Sequence, residues 1–97
     1  MPPRREREKP LEDRCVAKVE ASGGQALKLV LLGLMGWPDR TVLLPGGRVF
    51  FIETKRAVVG RVSRQQSFWA MTLTGLGFRV YTIDDDAQFD AALKEWL

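Results

Sequence analysis

The 97-residue chain contains no histidine. That single absence excludes Ser-His and Cys-His nucleophilic pairs, histidine metal clusters and imidazole acid-base catalysis. Any hydrolytic chemistry must therefore come from carboxylates, lysine and metal. There is one cysteine, Cys15, too few for an internal disulfide or a zinc cluster, and a core position on a first helix is its simplest role. No apolar run reaches the roughly 18 residues that would span a bilayer, and the opening "MPPRREREKP" has no apolar signal core. A soluble, cytoplasmic protein with no membrane partner is expected. Acid is scarce through the middle, where Asp39 and Glu53 are the only carboxylates between Ala21 and Ile83.

What is present fits one domain, residues 1–97, since a 45% hydrophobic share over this length builds a single core. Eight basic residues (Lys28, Arg40, Arg48, Lys55, Arg56, Arg61, Arg64 and Arg79) face the two acids of the middle region, a net of +6. The last fourteen residues carry five acids and one lysine. A basic middle points to a polyanionic partner, with nucleic acid the first candidate, although scattered arginines also serve solubility alone.

Residues 1–9 read as a charged, flexible arm. From about Pro10 the pattern turns helical, with Leu11, Cys15 and Val19 recurring every four residues until Ser22-Gly23-Gly24 ends the run. The apolar stretch from Ala26 to Leu32 predicts a buried strand. Arg40 to Leu44 and Arg48 to Thr54 predict a hairpin around Pro45-Gly46-Gly47, which supply the restricted and positive backbone angles of a short loop. "VFFI" within the second strand is apolar on both faces, so the sheet needs a layer above and below. A helix capped by Ser63 runs to about Thr74, with Gly75 closing it, and Phe78 to Ile83 forms a fourth strand. Asp84, Asp85 and Asp86 suit the start of a last helix whose buried side holds Phe89, Leu93, Trp96 and Leu97. The expected fold is α/β, in the order α-β-β-β-α-β-α, with helices on a central sheet.

A three-residue loop at Pro45 to Gly47 pairs Leu44 with Arg48, and counting back along that register sets Asp39 opposite Glu53. Directly opposed side chains on antiparallel strands lie roughly 4.5 to 5.5 Å apart at Cβ, so two carboxylates there repel unless a cation lies between them. Lys55 follows Glu53 by two and shares its face. Carboxylate oxygens hold magnesium, the Thr54 backbone carbonyl can add another oxygen, and lysine can orient a water or stabilise developing charge. The bland alternative is two ordinary strand-end charges, with Glu53 paired to Lys55 or an arginine.

"GWPDR" (Gly36 to Arg40), "ETK" (Glu53 to Lys55) and "VSRQQSFW" (Val62 to Trp69), in this order and spacing, resemble the virus-type replication-repair nuclease (VRR-NUC) domain of the PD-(D/E)xK nuclease superfamily. The resemblance runs from about Glu8 to Trp96 and takes in Lys28. It implies a restriction-endonuclease-like fold with a mixed central sheet, and magnesium- or manganese-dependent cleavage of DNA, often branched. Small stand-alone members are similar to homodimeric resolvases of four-way (Holliday) junctions. No small-molecule cofactor is implied. Matched by position, Asp39 and Glu53 correspond to metal-binding acids, Lys55 to the catalytic lysine and Gln66 to a glutamine of the next helix. A first-helix glutamate also belongs to the pattern, and Glu12 suits it better than Glu8, which precedes Pro10. Lys28, Arg40, Arg56, Arg61 and Arg64 are candidates for phosphate contact. Two departures stand out: Trp37 replaces a smaller apolar residue, and "LLGLM" (Leu31 to Met35) is more apolar than the expected polar loop.

Several residues carry a structural reading beside the functional one. Ser63-Arg64-Gln65-Gln66 fits a capping box, in which Gln66 bonds back to the helix start. Trp69 and Trp96 lie on apolar helix faces and suit a core. Leu34, Met35 and Trp37 fit either a subunit interface or the protein's own interior. The runner-up to a nuclease is a binding module on the same fold that grips branched DNA or a protein without cutting.

Overall fold

The computed structural model describes residues 4–54 and 64–97, with side chains in the first helix described from Pro10 onward. The elements are α1 (Arg4–Ala21), β1 (Gln25–Leu27), β2 (Arg40–Leu44), β3 (Arg48–Thr54), α2 (Arg64–Gly75), β4 (Val80–Ile83) and α3 (Asp86–Lys94). The order is the expected α-β-β-β-α-β-α. Helix α1 begins at Arg4 rather than near Pro10. Proline removes one helical hydrogen bond, but Arg, Glu and Lys on either side are good helix formers.

The four strands form one sheet in the order β1-β2-β3-β4. β1 and β3 each run antiparallel to β2, while β4 is parallel to β3. The sheet is therefore mixed. The β2–β3 hairpin has the anticipated register, from Leu44↔Arg48 back to Arg40↔Ile52, because Gly46 and Gly47 take φ of 86° and 75° in the loop. Strand alternation then divides the hairpin into two faces. Val42, Leu44, Phe50 and Ile52 pack with Leu11, Cys15 and Val19 of α1 and Phe89 and Leu93 of α3 in the main core. Thr41 and Phe51 point to the other face, toward Trp37, Trp69 and Phe78.

Three expectations are corrected. The apolar run after Gln25 is not a buried strand: β1 ends at Leu27, and Val30 and Leu32 are 89% and 101% exposed. Continuous apolarity there reflects an uncovered segment rather than burial on both sides. Gly75 lies inside α2, and the closing glycine is Gly77 at φ 98°. Phe78 N–H donates to Leu73 O and Gly77 N–H to Thr74 O, the paired bonds of a Schellman end, so the positive φ falls two residues later than the sequence suggested. Leu97 lies past the end of α3 and is exposed, whereas Phe89, Leu93 and Trp96 pack as expected. The Ser63 cap lies outside the described residues. Among the described residues no helix is long and apolar enough to cross a membrane.

Candidate active site

Asp39 occupies a bend immediately before β2, one position beyond the Arg40↔Ile52 pair and so opposite Glu53 near the end of β3. Oδ2 of Asp39 accepts from the Thr54 amide at 2.8 Å and from Thr54 Oγ1 at 3.0 Å. Glu53 is only 8% exposed, and its Oε1 is buried without a hydrogen-bond partner among the described residues. Burial first, and the Asp39 charge second, push the Glu53 carboxyl from its ordinary 4.5 up to about 7. A buried carboxylate beside a second one is unfavourable unless a proton or a cation joins them.

Trp37 anchors the segment that delivers Asp39. Its Nε1 donates to Thr41 Oγ1 at 3.0 Å, and its ring meets Phe51 edge-on at 5.5 Å and Trp69 of α2 at 5.4 Å. Of the two roles open to Trp37, its ring fills the interior of the α2 face. Gly36, at φ 90°, lies so close to α2 that a Cβ there would sit 2.3 Å from the Gln65 carbonyl carbon. Only glycine permits this approach, which brings the first turn of α2, including Gln66, beside the segment leading to Asp39. Leu34 is half-buried and Met35 exposed.

Glu12 is engaged elsewhere. Its Oε2 accepts from Arg40 Nε at 2.8 Å and lies 2.7 Å from Nη2, both side chains being largely buried. Arg40 also donates to Ala26 O at 3.2 Å, which ties α1, β1 and β2 together. Among the described residues no group of three or more His, Cys, Asp or Glu side chains forms a metal cage. Among the described residues Asp39 and Glu53 thus provide the nearest donor set. Its hard oxygens, its orphaned acceptor and its mutual repulsion fit a divalent cation. Lys28 and Arg64 are exposed, whereas Lys55, Arg56 and Arg61 lie outside the described residues. Two contacts escaped sequence reasoning: the Arg40–Glu12 pair, and the Thr54 hydroxyl, whose only signal was a threonine set between glutamate and lysine.

A solved structure of a VRR-NUC domain superposes on this chain with a TM-score of 0.82, covering 93% of this chain and 97% of that one at 26% identity. The chain is thus similar to a VRR-NUC domain over nearly its whole length. A phage protein named "Putative nuclease p44", from Acyrthosiphon pisum secondary endosymbiont phage 1, is 45% identical over 49 residues, which is 50% of this chain. The match spans 53% of that relative, about half its length. No protein-family model matches the sequence. The α-β-β-β-α-β-α order and mixed sheet are those of the restriction-endonuclease-like VRR-NUC fold.

Proposed function

We propose that this VRR-NUC-like protein is a magnesium- or manganese-dependent endonuclease that hydrolyses phosphodiester bonds in branched DNA, such as four-way junctions, as a cytoplasmic homodimer. The observation that carries this reading is Glu53, a buried carboxylate with an orphaned oxygen held opposite Asp39. Asp39, Glu53 and the Thr54 carbonyl would hold the ion. When bound, the ion supplies charge neutralisation for phosphate and acidifies a nearby water. Lys55, two residues past Glu53, is assigned to orienting that water and stabilising charge as it develops. Gln66 acts from the adjacent first turn of α2, and Arg64 and Lys28 contact phosphates, as do Arg56 and Arg61. Glu12, the first-helix candidate for the ion, is oriented by Arg40 through its Oε2.

One site cuts one strand, so symmetric incision needs a two-fold partner. The face bearing α2 supports such a partner. Phe68 and Met71 are exposed there, Val30, Leu32 and Met35 of the segment before β2 are exposed as well, and residues 29–38 and 65–78 hold no charged side chain. An uncharged apolar surface can meet its own copy across a two-fold axis without like-charge repulsion.

The test is cleavage of a labelled four-way junction in magnesium. Wild type cuts, chelator stops it, and Asp39→Ala reduces the rate to background. Scission by Asp39→Ala at the wild-type rate would overturn the assignment, and tight junction binding without scission in either metal would mark the protein as a binding module.

A further inference from the structure

We infer that the Thr54 hydroxyl is a positioning group for Asp39: with the Thr54 amide it occupies Oδ2, leaving Oδ1 as the oxygen offered to a divalent ion. The inference rests on the reading of Asp39 and Glu53 as a cation site.

Asp39 needs such a restraint. It lies before the first ladder pair of β2, so no strand pairing holds it. Along β3 successive amides point to alternate sides. Phe51 N–H donates to Arg79 O on the β4 side, so the Thr54 amide, three residues on, faces the β2 side at a point where β2 has already ended. A backbone carbonyl is missing there, and Asp39 Oδ2 takes its place. The Thr54 hydroxyl then adds a second donor to the same oxygen. Two charge-assisted bonds fill the in-plane lone pairs of Oδ2 and fix the carboxylate plane. Among the described residues Oδ1 receives no hydrogen bond. Valine at position 54 would keep the shape, the burial and the amide bond while deleting only the hydroxyl.

The experiment is calorimetric titration of manganese into the DNA-free protein for wild type, Thr54→Val, Thr54→Ser and Thr54→Ala, with Asp39→Ala as reference. Wild type against valine, and serine against alanine, are two pairs in which the hydroxyl is the main difference, so a folding failure of one variant leaves the other comparison intact. The expected result is about tenfold weaker binding on losing the hydroxyl in either pair, with serine near wild type, as for other groups that orient metal ligands. The magnesium concentration for half-maximal cleavage should rise by a similar factor. Equal affinities within each pair, with Asp39→Ala still weak, would overturn the positioning role alone. Wild-type manganese affinity in Asp39→Ala would overturn the cation site beneath it.

Discussion

On the face of the sheet covered by α1 and α3, Cys15, Val19, Val42, Phe50, Ile52 and Phe89 are sealed from solvent. Arg14 and Lys18 of α1 meet Asp86 and Asp90 of α3 at the rim. Among the described helices the opposite face has α2 alone. It buries Phe51 and Thr41 under Trp37 and Trp69, yet leaves Phe68 and Met71 59% and 75% exposed and keeps a carboxylate, Glu53, out of water. On the first face the described core residues pack on one another and the rim charges are paired. On the second face Glu53 Oε1 is buried without a partner among the described residues, and Phe68 and Met71 remain uncovered. The acidic last helix lies on the first face, away from the acids of the site. The main core and the opposed acids Asp39 and Glu53 thus lie on opposite sides of one four-stranded sheet.

This contrast can be broken by substitution. The largest effect belongs to the sealed face, where Phe50→Ala should lower the free energy of unfolding by about 3–5 kcal/mol in urea melts, through lost burial and an unfilled cavity. Glu53→Gln should act in the reverse direction. The unfolded chain releases the Glu53 proton near 4.5 and the folded one near 7, so wild-type stability falls as pH rises across that window and the deficit persists above it. Glutamine removes this penalty: melts above pH 7 should show a gain on the order of 2 kcal/mol, shrinking to nothing below pH 4.5, while manganese binding is lost. A wild-type stability that is flat from pH 4.5 to 7 would contradict the buried, unpartnered state of Glu53. The smallest effect on folding is expected from Phe68→Glu, within about 0.5 kcal/mol because the site is exposed. Sedimentation should nevertheless move toward the monomer, and an unchanged sedimentation coefficient would remove Phe68 from the subunit interface.

Much of the framework was legible in the sequence because it is local. Leu11, Cys15 and Val19 mark the buried stripe of α1 through helical spacing alone. Pro45-Gly46-Gly47 sets the register of β2 on β3, and with it the opposition of Asp39 and Glu53, because a three-residue loop leaves little choice of pairing. The apolar run from Ala26 to Leu32 misled for an equally physical reason, since β1 ends at Leu27. A continuous apolar run signals burial without saying by what, and here the chain itself does not cover it.

What this sequence determined unaided was therefore the order of elements, the stripe of α1, the hairpin and the two opposed acids, each set by neighbours within a few residues. The tertiary structure alone decided which groups those acids meet. Glu12 is claimed by Arg40, twenty-eight positions away, Gly36 is pressed against Gln65 of α2, and Asp39 is held by Thr54 because β2 stops one residue short of it. Such contacts depend on where strands end and helices cross, which is settled by packing of the whole chain rather than by the preference of any one segment.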